Sequence, residues 1–333
     1  MAPREVRQPE VGRLLALVVA ALLAVPVARV ARDLVLAVAF LVEFLSAGQQ
    51  RPLTTLTSAP RRESLPVAGV AVDRWVGVGT VPLVLVHGYA PAGKDEPRVQ
   101  AAAALLARAG FDVAVPTIPG LTRGRLRPDD VGPVVATLAA RDTPTVIVAV
   151  SVGAGPALLA AADPTVRDRV RVVLSLGGYA SAPELLRFFL TGEYGWGDVR
   201  GRVVHPPEVV RAFVEANADL LETSALDALA DPARAAAVLA APPPPVADLL
   251  ARLSPERVAR EIGARLVLVH GVDDPAVPYT ESLRLAAARP ERTRVVLVHL
   301  VGHVEGARAR SWATAVRELG ALVLVVYGLG RAA

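Results

Sequence analysis

Ser151, Asp274 and His303 are the residues of this chain whose types and order suit covalent chemistry. Ser151 lies in Ala149-Val150-Ser151-Val152-Gly153, Asp274 closes His270-Gly271-Val272-Asp273-Asp274, and His303 follows Gly302. A serine hydroxyl is a weak nucleophile until a base takes its proton. A histidine base in turn needs a carboxylate to hold its tautomer. The chain offers all three groups, each just after an apolar run that reads as a buried strand: 145–150, 265–270 and 294–299.

The surroundings of Ser151 suit a nucleophile. A sharp strand-to-helix turn strains the backbone of its central residue and accepts only small residues two places before and two after. Ala149 and Gly153 meet this requirement, Ala149 standing where glycine is commoner. The turn also aims the hydroxyl at a helix N-terminus, whose free N–H groups favour negative charge. An oxyanion needs two N–H donors. Val152 follows the serine directly, and Tyr89 lies in the strand-end loop His87-Gly88-Tyr89-Ala90, where Gly88 allows the backbone to come close.

Among the histidines, His303 is preferred as the base over His299, because it lies past the strand in a loop that can reach the sheet edge. Asp274 is preferred to Asp273 as its partner. His87 and His270 each end a strand before glycine and read as turn-shaping residues. His205, before Pro206-Pro207, reads as a surface residue.

Several elements must position these groups. Leu83-Val84-Leu85-Val86 is a continuous apolar run ending in His87-Gly88, and further runs follow at 112–116, 145–150 and 170–176. Helical segments at 100–108, 130–140 and 155–162 alternate with them. Continuous Val/Leu runs alternating with helices predict an α/β fold with a mostly parallel sheet and helices on both faces. The alternation stops at about residue 180. Residues 180–262 read as an all-helical cap, and strands resume at 265–270 and 294–299. The predicted organisation is therefore an N-terminal apolar segment at 1–50 and a linker with an edge strand at 51–80. The core follows in two parts, at 81–179 and 263–333, separated by the cap.

The N-terminal segment carries an unbroken apolar stretch, Leu14 to Ala28, between Arg13 and Arg29, and a second from Leu34 to Leu45 interrupted by Glu43. A helix needs about 20 residues to cross a ~30 Å hydrocarbon core. The first stretch reaches that only if its flanking arginines snorkel. An uncleaved membrane anchor or helical hairpin is the preferred reading. Helices packed on the globular domain, with Leu322 to Val326 as a dock, and a cleaved leader are the alternatives. Arginines flank both sides, so the side of the membrane is not given.

Composition narrows the partners. Lys94 is the only lysine among 36 basic residues, and no basic run exceeds Arg61-Arg62. The net charge of +4 with scattered arginines argues against nucleic acid. The chain has no cysteine, which excludes disulfides and a thiolate nucleophile. No metal or organic cofactor is called for. Lys94 and Asp95 follow the oxyanion loop, where a solvated pair or a place at the mouth are both open. Aromatic residues concentrate at Tyr179, Phe188, Phe189, Tyr194 and Trp196. Phe188, Phe189, Tyr194 and Trp196 are the candidate substrate-binding residues, as an apolar acyl pocket over Ser151. The alternative is that they are the core of the cap.

From Val81 to about Gly306 the chain resembles the α/β-hydrolase superfamily, in which nucleophile, acid and histidine follow in this order. The stretches His87–Asp95, Ala149–Gly153, Gly177-Gly178-Tyr179 and His270–Pro278 look like those of bacterial dienelactone-hydrolase-related proteins. The resemblance implies an eight-stranded, mostly parallel sheet and ester-type hydrolysis. Dienelactone hydrolases proper use a cysteine nucleophile, so serine here points to a general esterase and the dienelactone substrate does not carry over. The expected function is a serine hydrolase acting on a carboxylic ester or related acyl bond of a small molecule. An acyltransferase with the same three residues, or a non-catalytic binding protein on the same fold, are the alternatives.

Overall fold

Leu83, Val84, Leu85 and Val86 alternate between two faces of one strand, and all four are buried. Such a strand belongs in the middle of a sheet covered on both sides. The computed structural model describes residues 8–65, 67–217, 240–303, 306 and 311–332. In chain order the first elements are α1 (Gln8–Leu45), α2 (Pro52–Leu56), β1 (Arg61–Ser64), β2 (Val72–Val76), β3 (Val81–Val86), α3 (Pro97–Arg108), β4 (Phe111–Pro116), α4 (Val131–Ala139), β5 (Thr145–Val150), α5 (Ala154–Ala162) and β6 (Val170–Leu176). The cap contributes α6 (Ala182–Thr191), β7 (Glu193–Trp196), β8 (Val199–Arg202), α7 (Pro207–Ala216) and α8 (Pro244–Arg252). The core then closes with β9 (Arg265–Gly271), α9 (Thr280–Ala288), β10 (Thr293–Val298) and α10 (Trp312–Gly330).

Eight strands form one sheet in the order β1-β2-β4-β3-β5-β6-β9-β10. The β1–β2 and β2–β4 pairs are antiparallel, and all the others are parallel. Alternate side chains feed two cores. Leu83, Leu85, Val146, Val148, Val267 and Val269 pack on one face beneath α1, α3 and α10. Val84, Val86, Ile147, Ala149, Leu266 and Leu268 pack on the other beneath α4, α5 and α9. This is the α/β architecture expected from the alternating runs.

Three boundaries differ from expectation. The N-terminal segment is one continuous helix, not a hairpin: Arg29, Arg32 and Asp33 do not break it, because charged side chains on a helix can simply face outward. Its last turns also belong to the domain, with Leu41 packed against Leu322, Val325 and Leu329 of α10. Residues 51–80 hold a short helix and two strands, so the edge strand is Arg61–Ser64. The cap is not wholly helical. Glu193–Trp196 and Val199–Arg202 pair as an antiparallel hairpin around a left-handed Gly197. The hairpin was missed because its strands are four residues long and carry no apolar run. Residues 218–239 of the expected all-helical cap lie outside the described residues.

Candidate active site

Ser151 sits between β5 and α5 with φ +55°, left-handed backbone that a β-carbon disfavours. The turn is held by its neighbours. A β-carbon at Gly153 would stand 2.2 Å from the His87 carbonyl oxygen, and Ala149 is fully buried. Space for the loop after β3 is equally tight. A β-carbon at Gly88 would lie 2.9 Å from Ser151 Cβ, so glycine lets loop 87–90 rest against the serine. Tyr89 is the exposed residue of that loop.

The hydroxyl of Ser151 lies 2.6 Å from His303 Nε2, and His303 Nδ1 lies 2.8 Å from Asp274 Oδ2. With an N–H on Nδ1 donating to the carboxylate, Nε2 is left as the acceptor of the serine proton. The side chain of Asp274 is fully buried. Its other oxygen, Oδ1, accepts the N–H groups of Ala276 at 2.8 Å and Val277 at 3.0 Å. Those two bonds offset the cost of burying a carboxylate. Asp273, next to it, is exposed, and His299 is turned away from Ser151 towards α10. The structure thus brings Ser151, His303 and Asp274 together and leaves both rivals outside.

The other histidines shape the loops. His87 is buried, donates through Nδ1 to the Gly88 carbonyl at 2.7 Å and accepts the Ile118 N–H through Nε2 at 3.1 Å. His270 is buried beside Asp274. It accepts from Ser282 Oγ at 2.7 Å and donates to the Val277 carbonyl at 2.9 Å, so it locks the turn that presents Asp274. Burial lowers the pKa of both rings and keeps them neutral. His205 is not a free surface residue. Its ring stands edge-on to Phe188 at 4.7 Å and stacks on Phe189.

Two buried carboxylates escaped sequence reasoning. Glu281 on α9 accepts the N–H groups of Ala180 at 3.0 Å and Ser181 at 2.8 Å, where the cap begins. Burial pushes its pKa up to about 7. Glu318 on α10 accepts from His299 N, Leu300 N and His299 Nδ1 at 2.7, 3.0 and 2.9 Å. It is the only acid beside Arg317 in an otherwise apolar helix, which is the signal that could have found it. Lys94 pairs with Asp95 and with buried Asp73 of β2, fastening the far end of the loop after β3 to the sheet.

The four candidate substrate-binding aromatics have different surroundings. Phe188 is fully buried among Phe189, Tyr194 and His205, so it is core of the cap and cannot meet a ligand. Tyr194 contacts Tyr279, and Trp196 lies under the Arg284 guanidinium at 4.5 Å. Phe189 differs. Like Leu126, Val152, Leu186, Val246 and Leu249, it is half-buried against one apolar cluster that includes Leu185, Leu250 and Val277, and Val152 is the neighbour of Ser151. The aliphatic members of that wall gave no signal in sequence, because leucines on cap helices read as packing. Among the described residues no group of three or more His, Asp or Glu side chains is arranged to hold a metal ion.

No family model and no curated protein matches the chain. Solved structures do. An acylaminoacyl peptidase from Pyrococcus horikoshii is 14% identical with a TM-score of 0.52, covering 83% of this chain and 42% of its own. A puromycin-hydrolyzing peptidase from Mycobacterium tuberculosis is 20% identical with a TM-score of 0.50, covering 84% and 41%. The chain therefore spans about two-fifths of the length of these two proteins. A dienelactone hydrolase from Anabaena variabilis is 14% identical over 82% of this chain and 97% of its own, with a TM-score of 0.46. At these identities the likeness is one of fold. Sheet order, helices on both faces and the likeness to the two peptidases together make the chain an α/β-hydrolase-fold protein.

Proposed function

We propose that this protein is a serine hydrolase that cleaves a carboxylic ester or related acyl bond through an acyl-enzyme. The observation that carries the reading is the strained Ser151 with its hydroxyl 2.6 Å from His303 Nε2, itself backed by buried Asp274. His303 takes the hydroxyl proton as Ser151 Oγ bonds to the acyl carbon. The N–H groups of Val152 and Tyr89 receive the oxyanion, each worth about 3 to 4 kcal/mol in the transition state. His303 then returns the proton to the leaving oxygen as the carbonyl–oxygen bond breaks. Water, deprotonated by the same histidine, attacks the acyl carbon and frees Ser151. The wall of Phe189, Leu186 and Leu249 beside Val152 fits an apolar acyl group.

We further propose association with a membrane through the N-terminal part of α1. Leu14 to Ala28 is apolar, and α1 continues through it as one helix. α10, the one described helix long and apolar enough to cross a bilayer, is better read as part of the domain, because Leu322, Val325 and Leu329 pack in its core.

The test is covalent labelling of the full chain by a fluorophosphonate, with turnover of p-nitrophenyl esters of graded acyl length. Labelling lost in Ser151→Ala, with ester turnover lost alongside it, supports the hydrolase. Unlabelled wild-type protein would favour a binding role. Product transfer to an added alcohol or amine in place of water would reveal an acyltransferase.

A further inference from the structure

The described side chains of α1 fall into two groups. Ala37, Ala39, Leu41 and Glu43 are buried against the domain. From Val27 to Leu36 no residue is buried. Beside this uncovered part runs a groove of about 400 Å³, lined by Arg32, Val35, Leu36, Leu56, Thr57, Ser58 and Val78. Three separate segments meet there: α1, the end of α2 and the turn between β2 and β3. Single exposed aliphatic residues are ordinary. Here Val35, Leu56 and Val78 are 54%, 61% and 65% exposed and line one groove, which makes a patch. Arg29 and Arg32 are exposed, and neither forms an ion pair with a described residue.

Chain length says what covers the groove. Along a helix rising ~1.5 Å per residue, Leu14 to Ala28 spans about 22 Å, most of a hydrocarbon core. Arg29 comes directly after it. Arg32 lies about 4.5 Å further along the axis and Val35 about 9 Å. The headgroup layer is about 5 to 8 Å deep on each side of a bilayer. With the apolar stretch in hydrocarbon, Arg32 therefore stands at headgroup depth and Val35 at the layer's outer margin, so the groove opens outward from the headgroups with a cation on its inner wall.

We propose that this groove binds the headgroup of an anionic phospholipid, the phosphate on Arg32 and the distal part of the headgroup between Thr57, Ser58 and Val35, and so seats the domain on the bilayer. The inference rests on the membrane association proposed above. It assigns a lipid site outside the hydrolytic centre and fixes which face of the domain meets the membrane.

The chain has no cysteine, so a single introduced one is a unique labelling site. Leu56→Cys and Val78→Cys would be made in the full chain, with Val204→Cys in the cap as control, since Val204 is 88% exposed. Each would carry an environment-sensitive fluorophore and be reconstituted into vesicles of phosphatidylcholine with phosphatidylglycerol, or of phosphatidylcholine alone. The expected result is a blue shift at positions 56 and 78, with quenching by a headgroup spin-labelled lipid, and neither at 204. Arg32→Glu should reduce quenching at 78 in the anionic vesicles while the protein still floats with them. Floating protein whose labels at 56 and 78 behave like that at 204 overturns the groove and leaves the membrane association standing. Labels shielded only at high protein-to-lipid ratio, without quenching by lipid, assign the face to a second copy of the chain and overturn the proposal. Protein that does not float overturns the membrane association and the groove with it.

Discussion

The backbone of Gly306 rests on the carbonyl of Leu45. A β-carbon at 306 would stand 2.0 Å from that oxygen. Gly306 also bridges to Val301, and between them lies His303. The C-terminal end of α1 is thus one wall of the loop that carries the proposed catalytic base. Residues 1–50, separable by their composition, are joined to the site by this contact.

Truncation separates the two halves of α1. Removing residues 1–28 should leave a folded protein that still labels at Ser151, because among the described side chains of α1 burial begins at Ala37. Removing residues 1–50 strips Leu41 from Leu322, Val325 and Leu329 and takes the support from Gly306. Each buried leucine uncovered costs about 2 to 3 kcal/mol. The longer truncation should aggregate and label poorly. Size-exclusion chromatography with fluorophosphonate labelling checks both.

The three residues around the hydroxyl should behave as one unit. Ser151→Ala and His303→Ala should each lower kcat by about 10⁶-fold and Asp274→Asn by about 10⁴-fold. The triple variant should be no worse than the serine variant alone. Additive losses in ester turnover would contradict a shared mechanism.

Gly88 and Gly153 should fail differently. Gly153→Ala places a methyl group 2.2 Å from a backbone oxygen, which cannot retreat without moving β3, and should destabilise by about 3 kcal/mol. Gly88→Ala meets the side chain of Ser151 at 2.9 Å and should leave the fold standing while slowing labelling. Thermal melts beside labelling rates distinguish the two.

Glu318→Ala strips three hydrogen bonds from the strand end that leads to His303. Two backbone N–H groups lose their acceptor, at about 1 to 3 kcal/mol each. Glu318→Gln keeps a carbonyl oxygen there and should lose less. A melting temperature ordered wild type, Gln, Ala is expected, with acylation slowing in the same order. Equal melting of the two variants would exclude the hydrogen-bonding account.

Glu281 gives a pH dependence of stability. Burial against the start of the cap raises its pKa to about 7, with Glu256 adding to the rise and Arg284 and the Ala180 and Ser181 N–H groups opposing it. Folded, it holds a proton up to about pH 7; unfolded, only to the ordinary 4.5. Between those values the folded chain binds more protons, so stability from this group falls as pH rises, by on the order of 3 kcal/mol, and levels off above. Buried neutral His87 and His270 act at the acid end, where stability is lost as pH falls below about 6.5. Denaturant melts of wild type and Glu281→Gln across pH 5 to 8 should show the falling slope only in the wild type.

The sequence by itself determined the buried strands β3, β4, β5, β6, β9 and β10, their parallel run and the order Ser151, Asp274, His303, because buried strands need continuous apolar residues and a strained turn needs small neighbours. It also marked Gly88 and Gly153, whose missing side chains are legible in one letter. Tertiary structure decided what depends on partners far apart in sequence. That Phe188 fills the cap while Phe189 lies half-buried against the cluster that Val152 also joins depends on which way a helix rolls, and both rolls share one apolar spacing. That α1 is half domain depends on α10, which lies about 280 residues later. Glu281 and Glu318 are single carboxylates with no motif, and only long-range contact turns them from surface charges into buried acceptors.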